Sequence, residues 1–188
     1  MDFEGEFAVI LERNVEVPMR DGTVLRADVW RPDSSGQFPV LLERTPYDKT
    51  TSSESNLGAG DFYASHGYAT VIQDVRGRFA SDGEFYPFRD DGDGINQDGY
   101  DTVEWASAQT WSNGKVGTIG GSYSGATQYR MLSTQPPHLV AQFVRQSSSD
   151  YYREWVYRGG AFELGFNVSW TLKHTATNAR KLAPKGKE

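Results

Sequence analysis

The stretch VGTIGGSYSGATQ, residues 116–128, constrains the fold more than any other part of the chain. Residues 116–120 read as a short apolar strand, and a helix over about 123–133 follows, ended by the double proline at 136 and 137. Only small residues separate the two. A strand that turns this tightly into a helix is a building unit of α/β folds. Two serines stand at the turn, and sterics permit either as a nucleophile. Ser122 has Gly120 two places before it and Ser124 two places after. Ser124 has Ser122 before it and Ala126 after it. Strand length favours Ser122, because Ser124 falls inside the first turn of the helix. A serine at such a turn projects its hydroxyl above the sheet, with the next N–H facing a developing oxyanion. The same Ser and Gly residues also suit a tight connection with no chemistry.

The flanking sequence extends this unit to a sheet. FAVILERNVEVPM and TVLRADVWRP bracket RDG, a turn signal, and predict a β-hairpin. FPVLLERTPY predicts a buried strand running into a loop at its proline, and YATVIQDV at 68–75 predicts another. Residues 57–66 read as a helix stopped by Gly67. YDTVEWASAQ reads as a helix that places Tyr100, Val103 and Ala106 on one face, with Asp101 as its cap. LVAQFVRQ at 139–146 is the next strand. A hairpin followed by strand–helix alternation predicts an α/β fold with a largely parallel sheet over residues 1–146. Residues 147–188 are aromatic, lack a further buried strand and read as helical material outside the sheet. The full 188 residues suffice for one domain with a sizeable core.

Five ordered segments resemble the cocaine esterase / X-Pro dipeptidyl-peptidase (S15, CocE/NonD) family of serine hydrolases. They are VPMRDGTVLRADVWRP, PVLLERTPYDK, GYATVIQDVRGRFASDGEF, DGYDTVEWASAQTWSNGKVGTIGGSYSGATQ and QPPHLVA, together spanning about residues 15–146. The family's G-x-S-Y-x-G turn aligns with Gly120 to Gly125, which makes Ser122 the implied nucleophile. The resemblance also implies an α/β-hydrolase fold and an oxyanion hole made by the Tyr123 N–H and the Tyr47 hydroxyl. It implies a helical cap beginning near residue 147, whose aromatics Trp155 and Trp170 line an acyl pocket. The implied reaction is hydrolysis of an ester or an amide/peptide bond through an acyl-enzyme, with no metal or organic cofactor.

A serine nucleophile needs a histidine base oriented by a carboxylate, in the chain order Ser, Asp or Glu, His. His66 sits at a helix end and reads as a surface residue. His138 leads into the strand after the turn, at the bottom of the sheet. Ser122, Asp150 and His174 satisfy the order, although His174 reads as part of a helix outside the sheet. The family's own acid and histidine come after the cap, so the resemblance implies a chain that stops inside it. On that expectation the strand at 139–146 leaves an apolar edge exposed, favouring self-association or a complementary chain. The competing expectation is a catalytically inactive fragment, or a half-module that associates with its missing half.

Net charge −6 offers nothing to nucleic acid or an anionic membrane. The absence of cysteine rules out disulfides and thiolate metal sites. No apolar run reaches the length of a membrane span, and the acidic start MDFEGEFAVILERN lacks the pattern of a signal peptide, so a cytoplasmic location is the default expectation. DDGDGINQDGYD fails the EF-hand template and reads as a solvated acidic loop. Arg76 and Arg78, near Asp82 and Glu84, read as a surface loop bracing the rim of the sheet.

Overall fold

The computed structural model describes residues 5–51 and 59–182. The chain divides into two compact units, Met1–Ser147 and Ser148–Glu188. The first unit is built on a six-stranded sheet of β1 (Val9–Pro18), β2 (Val24–Pro32), β3 (Phe38–Thr45), β4 (Ala69–Asp74), β5 (Ser112–Gly121) and β6 (Leu139–Arg145), in the order β1-β2-β4-β3-β5-β6. β1 and β2 form the expected antiparallel hairpin, and β2 pairs antiparallel with β4. The pairs β4–β3, β3–β5 and β5–β6 are all parallel. This is the α/β arrangement with a largely parallel sheet that the sequence predicts.

Burial explains the order. All six residues of β4 are buried, so ATVIQD occupies the middle of the sheet, where both faces are covered. Val17, Leu25, Ala27, Val29, Val40, Leu42, Val71 and Val116 form the core with Val103, Ala106 and Met131 from the helices. The helices are α1 (Ala59–Ser65), α2 (Asp98–Ser107) and α3 (Tyr123–Leu132), each linking consecutive strands, and α2 and α3 supply those three core residues. β5 starts earlier than the apolar pattern indicates, because Ser112 pairs with Phe38 in spite of its polar side chain. Among the described residues β6 is an edge strand, with Val140 61% and Phe143 63% exposed.

Three expectations about charged residues are corrected. Asp101 does not cap α2, which begins at Asp98. Asp101 instead clasps Arg20, accepting from its backbone N–H at 2.9 Å and from its guanidinium at 2.7 Å. The acidic segment is not a solvated loop either, since Asp90, Asp91 and Asp98 are all buried. Nor do Arg76 and Arg78 lie on the surface; Arg78 is among the largest fully buried side chains.

The physical reason is a network of charges inside the unit. Arg44 on β3 donates to Asp91 and to Gln73, each at 2.7 Å. Arg76 donates to Asp98 at 2.6 and 2.9 Å and to Asp21 at 2.7 Å. The acidic loop folds inward because two buried guanidinium groups need anions, and buried charges persist only when paired. Burial alone would lower the Arg76 guanidinium, but Asp98 and Asp21 hold it above its ordinary range. In return, the Arg76 bond pulls the Asp21 carboxyl down to about 2. Composition alone gives no sign of this pairing, because the partners lie far apart in sequence.

The second unit contains a five-residue π-helix at Tyr152–Val156, a minimal hairpin of β7 (Tyr157–Arg158) and β8 (Ala161–Phe162), and α4 (Leu164–Leu182). The helical character is as expected, but the hairpin is not. Gly159 and Gly160, both at positive φ, form its two-residue loop. A Gly-Gly pair between aromatic residues is a signal of such a turn.

Candidate active site

Ser122 lies between the end of β5 and the first residue of α3, with φ 55° and ψ −120°. A non-glycine residue in this region costs about 1–3 kcal/mol and persists only where its surroundings impose it. The surroundings here are specific. The Ser122 N–H donates to Arg145 O of β6 at 3.0 Å. Its carbonyl accepts from Gly125 N, from Ala126 N and from Ser147 Oγ, the last at 2.8 Å.

Small neighbours make the turn sterically feasible. Gly120 has φ 132°, and a Cβ there would meet the Ser124 Cβ at 2.6 Å. A Cβ on Gly125 would meet the Ser147 Cβ at 2.5 Å. Gln128 then ties the turn together from the buried side, donating to Gly120 O and Ser124 O at 3.2 Å while accepting from Thr118 Oγ1 at 2.9 Å. Ser124, the alternative nucleophile, has its hydroxyl engaged on the buried side of the turn, where it donates to the Glu43 carboxylate on β3 at 2.9 Å. Neither Gln128 nor Glu43 stands out in the sequence, since a polar residue within an apolar pattern carries no mark of its partner.

Tyr47, Thr51, Gly121, Ser122, Ser124, Arg145 and Gln146 line one cavity of about 710 Å³. It opens at the C-terminal ends of β3, β5 and β6, where parallel sheets place their ligand sites. That rule would have flagged Arg145 and Gln146, which the motif search missed. The cavity brings together Ser122 and Tyr47, residues 75 positions apart in the sequence. The Tyr123 side chain is buried behind them, stacked on Phe88 at 4.2 Å and edge-on to Tyr47 at 6.3 Å. Its hydroxyl accepts from Phe88 N at 2.9 Å, and burial keeps its pKa well above the ordinary phenol range. A helix cannot satisfy its own first N–H groups, and Tyr123 supplies the first of them in α3.

The histidines fall in three places. His66 follows α1 and contacts Phe62 O through Nδ1 at 2.6 Å. His138 contacts Glu104 through Nδ1 at 2.7 Å. His138 O accepts from Val116 N at the start of β6, whereas Ser122 N reaches Arg145 O at its end. At a strand rise near 3.3 Å per residue, that puts His138 roughly 20 Å from the turn. His174 belongs to the second unit, buried and packed on Trp170 with ring centroids 4.5 Å apart. Asp150, in the same unit, accepts from Arg153 N at 3.0 Å. Trp155 lines a separate cavity of about 300 Å³ with Arg158, Glu163 and Phe166. Among the described residues there is no group of three or more His, Cys, Asp or Glu able to hold a metal ion, and no helix long and apolar enough to cross a membrane.

Comparison with known proteins bears on this arrangement. A cocaine esterase from Rhodococcus sp. (strain MB1 Bresler) is 41% identical over 175 residues, covering 89% of this chain and 29% of that protein. A CocE/NonD family hydrolase from Staphylococcus aureus superimposes with a TM-score of 0.82 at 31% identity, over 92% of this chain and 34% of that one. An alpha-amino acid ester hydrolase superimposes with a TM-score of 0.67 at 30% identity, over 89% of this chain and 30% of that one. The chain therefore spans about three tenths of the length of these relatives. The family description of the X-Pro dipeptidyl-peptidases matches residues 21–187, and the chain belongs to this S15 family.

Proposed function

We propose that this chain carries the nucleophile half of a serine hydrolase site that cleaves an ester or an amide/peptide bond. The observation that carries the reading is the strained Ser122 turn, opening into a cavity shared with Tyr47. In this reading the turn is a nucleophile elbow. Ser122 Oγ attacks the carbonyl carbon while its proton passes to a base. The carbonyl electrons move onto the oxygen, which the Tyr123 N–H and the Tyr47 hydroxyl receive. The tetrahedral intermediate collapses, the proton goes to the departing alcohol or amine, and water later hydrolyses the acyl-serine. Relatives named as a cocaine esterase and an alpha-amino acid ester hydrolase support an acyl-transfer reaction. His66 and His138 sit at the wrong end of the sheet to act as base. The base in this reading is a histidine that the first unit does not supply; His174 with Asp150 is this chain's own candidate pair in the required order.

A fluorophosphonate probe read by intact mass tests the assignment. One adduct per chain is expected in the wild type and in Ser124→Ala, and none in Ser122→Ala. An adduct that survives in Ser122→Ala and vanishes in Ser124→Ala would transfer the role to the other serine. A second reading, favoured by the exposed Val140 and Phe143 of β6, is a half-module completed by a complementary chain pairing along that strand. It predicts labelling of Ser122 only in the completed assembly.

A further inference from the structure

The cavity at Ser122 has two flanks of different chemistry. β5, which ends in the Ser122 turn, lies between β3 and β6, each about 4.8 Å away. Tyr47 and Thr51, on the loop after β3, line one side; Arg145 and Gln146, at the end of β6, line the other. The proposed oxyanion donor Tyr47 belongs to the β3 side. Arg145 therefore stands across the nucleophile from it, where a substituent of the reacting carbonyl has to lie.

Successive residues of a strand point to opposite faces, yet Arg145 and Gln146 line the same cavity. The chain turns between them. β6 ends at Arg145, and Gln146 has φ 43°, in the left-handed region that non-glycine residues seldom occupy. The turn is tied to Ser122 from both sides: Arg145 O accepts from Ser122 N at 3.0 Å, and Ser147 Oγ donates to Ser122 O at 2.8 Å. The bonds that hold the nucleophile thus also fix where Arg145 and Gln146 leave the sheet.

Among the described lining residues Arg145 is the one cationic group, and none is a carboxylate. Glu43 lies behind Ser124, buried on β3, and is not part of the lining. Every lining side chain ends in a polar group, a hydroxyl, an amide or the guanidinium. A guanidinium is always charged, and its planar fork matches a carboxylate through two parallel bonds. The chain's net charge of −6 repels anions at a distance, so recognition of an anion here is local.

We propose that the substrate carries a carboxylate a few bonds from the scissile carbonyl, received on the β6 side of Ser122 by Arg145 with the Gln146 amide beside it. The substrate class rests on the reading of Ser122 as the nucleophile; the anion site itself rests on the lining of the cavity.

The test has two readouts on the full chain. In nitrogen-15 NMR the Arg145 Nε–H resonance, assigned by its loss in Arg145→Gln, is expected to shift with monoethyl glutarate but not with the neutral amide of that monoester. The second readout is the rate of labelling by two fluorophosphonates that differ only at the end of one arm, carboxylate against carboxamide. Both are used as racemates, so that the arm can take either side of the phosphorus. The carboxylate probe is expected to label Ser122 about tenfold faster or more. That preference falls to about one in Arg145→Gln and persists in part in Arg145→Lys, which keeps the charge and loses the fork. No Arg145 shift with the monoester, or an equal shift with the amide, overturns the anion site. So does a wild-type preference near one, or a preference that survives Arg145→Gln. A selective Arg145 shift with no labelling of wild-type Ser122 by either probe upholds the anion site and removes the proposed function instead.

Discussion

Asp98→Ala should destabilise the first unit by about 3–5 kcal/mol, the cost of breaking a buried ion pair from one side. Asp98 is buried, receives two bonds from Arg76, and lies 3.8 Å from an Arg44 nitrogen. Alanine would leave both guanidinium groups buried with less anionic charge around them, and Thr102, Gln73 and Asp91 cannot supply it all. Because a folded domain holds about 5–15 kcal/mol in total, this one change can consume a large part of the margin. The control is Asp101→Ala three residues on. Its clasp with Arg20 has comparable distances but stands at the surface, with the Arg20 side chain 36% exposed. Exposed pairs contribute about 0–1 kcal/mol. Urea denaturation of the two variants should therefore separate them clearly, with a sharply lowered midpoint only for Asp98→Ala. Equal losses would mean that the inward fold of the acidic segment does not depend on its arginines.

Tyr47→Phe should slow fluorophosphonate labelling of Ser122 by about 10²- to 10³-fold while leaving stability almost unchanged. The change removes only the hydroxyl. The edge-on contact with Tyr123 and the backbone bonds to Thr45 and Thr51 stay in place. Removal of one oxyanion donor typically costs about 3–4 kcal/mol of transition-state stabilisation, and the phosphoryl oxygen of the probe occupies the oxyanion position. A rate within threefold of wild type would remove Tyr47 from the oxyanion hole. A loss of stability to match the loss of rate would make it a structural aromatic beside Pro46.

The strands were legible in the sequence because their residues run apolar or alternate: YATVIQDV at 68–75 reads as a buried strand, and RDG marks the hairpin turn. The Ser122 turn was legible for a related reason, since close approach of strand and helix admits only small residues at Gly120 and Gly125. The charged interior was not. Arg44, Arg76, Asp91 and Asp98 look like surface residues one at a time, and only the fold shows that they meet. Asp101 was misplaced as a helix cap for the same reason, its partner Arg20 being 81 residues away. Tyr47 illustrates the intermediate case. Its position after a strand can be read locally, but the bonds that hold its loop come from Asp74 and Arg78 on the neighbouring connection.

The measurement that bears most directly on the central claim is a crystal structure of the chain after phosphonylation. The account predicts phosphorus bonded to Ser122 Oγ, with one phosphoryl oxygen at roughly 3 Å from both Tyr123 N and the Tyr47 hydroxyl. Phosphorus on another side chain, or a phosphoryl oxygen turned away from both donors, would contradict it.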